Sequence, residues 1–190
     1  MENLKFRITG VSPLILHNGL LADPLNHYTR AIKEISSKRS KVDADYEEMA
    51  RLEWYGGLYL KDGAPCLPGN NLEAALIGRG GAARSQKMGK KAAAALIVPD
   101  DYPLEYDGSQ DLDELWKDEQ FRLVSKVKVG TASVMRTRPI FRTWAAVVEV
   151  LYLPTSLNED HICQWMEIAG REVGLCDWRP KYGRFTVERL

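Results

Sequence analysis

The run from Ile140 to Leu153 constrains the fold more than any other stretch of this chain. It holds the longest β-branched segment, with Val148, Val150 and Tyr152 on one face and Val147, Leu151 and Leu153 on the other. A strand apolar on both faces belongs inside a sheet, because an edge or a solvated face would leave half of it in water. Pro154 ends it. Ser156 and Glu159 then have the spacing of a capping box. Ile162, Trp165, Met166 and Ala169 recur at i, i+3, i+4 and i+7, which predicts an amphipathic helix whose stripe, like Cys163, is core. Arg184 to Leu190 reads as a last strand.

The rest of the chain supplies matching pieces. Leu4, Phe6 and Ile8 alternate with Lys5, Arg7 and Thr9, the pattern of a half-buried strand over residues 4–11. Helices are expected over Asn26–Lys38 and Asp45–Trp54. Gly56–Leu60 reads as a short strand, followed by a tight turn at Lys61–Pro65. Asn70 with Glu73 suggests an N-cap and a capping box, opening a helix from about Asn71 to Ile77. Phe121–Val129 alternates again. Stripped of extras, the order is βαββαβ. That predicts an α+β, ferredoxin-like (RRM-type) domain: antiparallel strands with two helices on one face and the other face open to a ligand. The whole of 1–190 reads as one such domain, with insertions at about 20–55 and 79–119.

Charge is balanced but segregated. Lysine plus arginine count 26, as do aspartate plus glutamate. Acids collect in 43–53 and in 100–119. Arg79–Lys91 carries five cations and no acid, and Arg122–Arg142 six cations and no acid. A neutral total argues against a polybasic binder yet allows one positive face. The three cysteines lack CxxC spacing, which suggests neither a disulfide framework nor a zinc site. The start has no signal-peptide pattern and no apolar run reaches membrane length, so a cytoplasmic protein without membrane contact is expected.

The candidate chemistry lies in loops. Gly174–Phe185 carries Trp178, Arg179, Lys181 and Tyr182 between Gly174 and Gly183, and Arg184 directly after. Cations hold phosphates and aromatic rings stack on bases, so this mixture points to a nucleic-acid backbone. Asn70 and Asn71 sit at an expected helix N-terminus, where free N–H groups favour phosphate. Arg136, Arg138 and Arg142 share a strand parity and would face one way, a track for sugar-phosphate. Lys126 and Lys128 share another, of unknown register with the arginines. Gly80–Leu96, glycine-, alanine- and lysine-rich, reads as a mobile arm whose Arg79, Arg84, Lys87, Lys90 and Lys91 would order on nucleic acid.

Pro65–Leu76, read as P-C-L-P-G-N-N-L-E-A-A-L, and the terminal loop ending in G-R-F together resemble the RAMP superfamily of CRISPR-associated proteins, in particular the Cas7-like backbone subunits. The segment Val11–Gly19 after the first strand fits the same order. Glu73 stands where the family often has a base. The resemblance implies a protein that coats a guide RNA as a head-to-tail filament and presents its bases to target DNA or RNA, in antiviral defence or in a phage. It also implies a projecting thumb at the 79–91 arm, and a role for the acidic 100–119 segment against a neighbour's basic face. No cofactor or metal is called for, and no catalytic residue is assigned. Asp23, with His17 and His27, is the weak exception: some relatives cut RNA with an early acidic residue. Two other functions stay open: a sequence-independent single-strand binder of phage recombination, and a metal-dependent ribonuclease.

Overall fold

The structure, a computed structural model, describes residues 1–190, the side chains of Val129 and Ala132 excepted. In chain order the elements are β1 (Glu2–Gly10), β2 (Leu14–Ile15), α1 (His27–Ser36), α2 (Asp43–Gly57), β3 (Leu60–Lys61), β4 (Ala64–Leu67), α3 (Gly69–Ile77), α4 (Ala82–Ser85), α5 (Gly89–Ala95), β5 (Leu96–Ile97), β6 (Tyr102–Pro103), α6 (Leu112–Lys117), β7 (Arg122–Val129), β8 (Ala132–Phe141), β9 (Ala145–Tyr152), α7 (Glu159–Ile168) and β10 (Phe185–Arg189). The chain is thus mixed α+β with antiparallel sheets. It forms two compact units: one of Met1–Leu14, Leu60–Asp107 and Arg142–Leu190, the other of Ile15–Tyr59 and Gly108–Phe141. Among the described residues no helix is long and apolar enough to cross a membrane.

The first unit is built on a sheet of strand order β10-β1-β9-β5, every neighbour antiparallel. Leu4, Phe6 and Ile8 of β1 and Val148, Val150 and Tyr152 of β9 are buried, together with Ile162, Trp165 and Met166 of α7 and Leu72, Ala75 and Leu76 of α3. Each fully buried large apolar side chain of this set contributes about 1.5–3 kcal/mol relative to exposure. β9 does lie inside the sheet, between β1 and β5. Its second apolar face is not covered, however: Val147 and Leu153 stay exposed and Leu151 half-buried. That outward face also carries Lys5, Thr9, Glu149 and Thr186, without an aromatic ring from β1, β9 or β10.

Several local expectations need correction. The long run is not one strand from Ile140 to Leu153: the chain bends at 142–143, so it divides between β8 and β9. Gly56–Leu60 does not form a strand, since α2 continues through Gly56 and Gly57. The turn that follows is as expected, with Asp62 and Gly63 both at positive φ between β3 and β4, as a tight hairpin requires. α7 is capped by Asn158 rather than Ser156, the Asn158 side chain accepting from the His161 N–H at 3.0 Å. Gly80–Leu96 is not a structureless arm. Its alanines pack: Ala82 and Ala83 of α4, Ala92 and Ala95 of α5, and Leu96 of β5 are buried, and β5 pairs with β9.

The second unit sets α1 and α2 beside the β7–β8 hairpin. Trp54 of α2 is fully buried and donates its Nε1–H to the Phe121 carbonyl at 2.8 Å. Glu53, its neighbour, is also buried. Toward its tip the hairpin leaves one face open to solvent, with Val124 and Met135 more than half exposed beside Lys126 and Lys128, while Val127 and Val134 on the other face are half-buried.

Candidate nucleic-acid interface

The C-terminal loop is held by its own backbone. Leu175 N donates to Gly183 O at 3.0 Å, and Gly183 N to Pro13 O at 2.9 Å. Gly174 and Gly183 have φ of 74° and 71°. A Cβ on Gly183 would stand 2.1 Å from Leu175 O, and one on Gly174 2.5 Å from Tyr182 O. The framing glycines therefore let the two arms of the loop approach each other. The space beside them is taken by the loop itself. Cys176 and Trp178 also adopt positive φ, a sparsely populated conformation for such residues.

This scaffold turns Arg179, Lys181 and Arg184 outward. Arg184 is partly spent, its Nε–H donating to the Pro180 carbonyl at 2.7 Å. Trp178 and Tyr182 are half-buried with ring centroids 6.0 Å apart at 51°, and the Lys181 ammonium lies 5.4 Å from the Tyr182 ring centre. Arg179 and Pro180 line a cleft of about 390 Å³ together with Arg79, Gly80 and Gly81, which follow α3, and Glu172, which follows α7. Glu172 is engaged by Arg171 at 2.7 Å. The cleft thus joins the ends of the two sequence motifs. Arg79, Arg84, Lys87, Lys90, Lys91 and Arg179 make no ion pair among the described residues.

The start of α3 is occupied. Asp101 Oδ1 accepts the Gly69 N–H at 2.9 Å, so a carboxylate of the same unit already sits on the positive end of the helix. Asn70 is exposed beside it and Asn71 half-buried. The cap residue is Pro68, and no capping box forms. Glu73 turns instead to the Val98 N–H at 3.0 Å. The Gly69 N–H is therefore not free for a phosphate, while Asn70 and Asn71 flank it.

The proposed arginine track is also revised. Arg142 lies beyond the end of β8, so it does not share that strand's face with Arg136 and Arg138. The hairpin register sets Ser125 opposite Arg136 and Leu123 opposite Arg138, whereas Lys126 is opposite Met135 and Lys128 opposite Ser133. Paired residues of an antiparallel ladder share a face. Lys126 and Lys128 thus stand on the face away from the two arginines. Arg136 is committed: its Nη1 donates to Glu53 Oε1 at 2.5 Å, while Glu53 Oε2 accepts the Thr137 N–H at 2.8 Å.

The acidic 100–119 segment finds its partners within its own units rather than awaiting a neighbour. Asp100 pairs with Lys61, and Glu105 with Arg7. Asp111 caps α6 and Asp118 the short helical turn before β7. Asp113 takes the Tyr55 hydroxyl, Glu114 pairs with Lys117, and Glu119 with Arg122. Two acids with structural roles here, Glu53 and Asp101, carried none in the sequence beyond membership of the acidic blocks. Glu53 had one signal: it is an acid between Leu52 and Trp54, on the apolar side of its helix.

Asp23 accepts the Leu25 N–H at 2.8 Å, the turn-opening role of Asp-Pro. Among the described residues no group of three or more His, Cys, Asp and Glu side chains is arranged to hold a metal ion. Neither a protein-family model nor a curated protein matches the chain.

Proposed function

We propose that this chain is a Cas7-like protein of the RAMP type that grips the sugar-phosphate backbone of a guide RNA and leaves the bases free to pair with a target nucleic acid. The observation that carries the reading is the cleft where Arg79 and Arg179 meet. It joins the two motif ends and presents guanidiniums with no ion pair among the described residues. Glu172, the acid that lines the cleft, pairs with Arg171, so an anionic ligand is the electrostatic complement of Arg79 and Arg179.

The architecture supports the same reading. A sheet ordered β10-β1-β9-β5, with α3 between β1 and β5 and α7 between β9 and β10 in the chain, supports reading this unit as a ferredoxin-like βαββαβ domain. Its outward sheet face has no ring to stack on bases, which favours backbone contacts over the stacking mode of RNA-recognition modules. Arg84, Lys87, Lys90, Lys91 and Lys181 would extend the positive surface. The β7–β8 hairpin, exposed along the face of Lys126, Lys128 and Met135, is a better thumb than the packed 79–91 segment. Copies would assemble head-to-tail along the RNA, in the cytoplasm.

Purification from its own locus tests this. The expected result is one defined RNA species bound to the protein, with affinity falling steeply as salt rises. Equal affinity for any single-stranded DNA would make it a sequence-independent binder. Undiminished binding by Arg79→Glu and Arg179→Glu would remove the proposed interface.

A further inference from the structure

We propose that β10 is a self-docking edge: two copies of this chain join through it about a two-fold axis, their β10 strands antiparallel, so that two four-stranded sheets become one. The contact needs no nucleic acid and uses neither Arg79 nor Arg179, so it stands or falls separately from the RNA reading.

β10 is a terminal strand of its sheet, paired with β1 alone. The Leu190 N–H donates to Lys5 O at 3.0 Å and the Val11 N–H to Arg184 O at 2.8 Å, which carries the β1–β10 register on to both ends. In an antiparallel ladder the backbone groups of successive residues point alternately toward the paired strand and away from it. Those of Thr186 and Glu188 therefore face β1, and those of Phe185, Val187 and Arg189 face outward. A cleft of about 410 Å³ lies along that side, between residues 184–187 and Glu167, Gly170 and Arg171. The edge at Val187 is thus open rather than covered by the end of α7. The Phe185 carbonyl is crowded: a Cβ on Gly170 would stand 2.2 Å from it. An unpaired edge is a template for another strand, and folded proteins ordinarily blunt it. The opposite edge of this sheet is blunted, since β5 has two residues and Pro99 follows soon after. β10 has five residues, an unbroken register with β1, and neither proline nor lysine.

Charge identifies the occupant as a second copy. Arg184, Thr186 and Glu188 are exposed and share one parity of the ladder. Arg189, on the other parity, is paired with Glu159 at 2.7 Å. Glu188 makes no ion pair among the described residues. Arg184 gives its Nε–H to Pro180 O, and its two terminal nitrogens remain to donate. With Val187 set opposite the partner's Val187, Thr186 faces the partner's Glu188, and Arg184 lies diagonal to the same carboxylate. Long side chains reach across such a diagonal, and the symmetry makes the contact twice. The central valine pair exchanges two N–H···O bonds, and each Phe185 N–H meets the carbonyl of the partner's Arg189. Neighbouring registers are worse. A shift of two residues one way opposes Glu188 to the partner's Glu188, a like-charge pair. A shift the other way rests half of its hydrogen bonds on the crowded Phe185 carbonyl. The strand is therefore complementary to itself in one register, as a closed two-fold contact requires.

The test is sedimentation equilibrium of the full chain, stripped of nucleic acid, over a concentration series, with circular dichroism to verify folding of each variant. The apparent mass is expected to rise from that of one chain toward that of two. Val187→Pro removes the outward N–H and leaves the bonds to β1 in place, a substitution that edge strands tolerate. It should weaken self-association by at least about tenfold, since two hydrogen bonds are lost in each pair of copies. Glu188→Arg should weaken it too, and adding Arg184→Glu, which exchanges the two charges, should restore it. A mass of one chain at every concentration overturns the proposal. So does association that Val187→Pro leaves unchanged, which would assign it to another face, or an exchange variant that associates no better than Glu188→Arg alone. Should Val187→Pro fail to fold, Glu188→Arg and the exchange decide the matter by themselves.

Discussion

Glu53→Ala is the sharpest probe of how the second unit is held. Glu53 is 8% exposed and Thr137 5%. Removing the carboxylate leaves the buried Thr137 N–H without its acceptor, at a cost of about 1–3 kcal/mol. The lost ion pair adds less. The Arg136 side chain keeps 36% of its exposure, so water screens the pair toward a surface value of about 0.2–1 kcal/mol. The lost γ-methylene adds about 0.8 kcal/mol. The sum is about 2–5 kcal/mol. Glu53→Gln keeps an amide oxygen for the Thr137 N–H and keeps the packing, so only the screened charge term is lost, about 1 kcal/mol or less. Urea denaturation of the two variants beside the parent measures both values, and unchanged m-values would show that stability alone has moved. The gap between alanine and glutamine should persist in high salt, because a buried hydrogen bond is not screened. Equal midpoints for the two variants would refute the reasoning.

Gly183→Ala places a methyl 2.1 Å from Leu175 O on a residue at φ 71°. It should destabilise by more than about 1 kcal/mol, read as a lowered melting temperature, and should weaken nucleic-acid binding through the loop. Each of Arg79→Glu and Arg179→Glu should reduce the slope of log affinity against log salt by about 0.7 for a single strand, measured by filter binding across a salt series. At alkaline pH, burial pushes the Tyr102 hydroxyl up to about 12 and the Cys66 thiol up to about 11. Both lie above their ordinary values, so the stability they lend is whole below those values and lost as pH rises through the raised ones; a base titration followed by circular dichroism should show it. At acid pH the sign reverses. The hydrogen bond from Lys61 holds the Asp100 carboxyl below its ordinary value, so that stability is present above about pH 3.9 and lost as pH falls through the lowered value. Lys61→Met should therefore differ from the parent at neutral pH and converge with it in acid.

Periodicity by itself determined the elements of the first unit's core. Leu4, Phe6 and Ile8 point inward as their alternation requires, and Ile162, Trp165 and Met166 do so at helical spacing. Burial of one side of a regular element imprints itself on neighbouring residues, so a local pattern carries it. β9 does lie inside its sheet, but its outer apolar residues, on which that place was read, are not buried there. The charges were not legible. Asp101 caps a helix that starts 32 residues earlier, and Glu53 holds Arg136 across 83 residues. Electrostatic partners at such separations leave no period in the chain. Which cations of this protein are spent and which face solvent, and which face of the hairpin each occupies, was therefore decided only when the tertiary structure brought distant residues within hydrogen-bonding range.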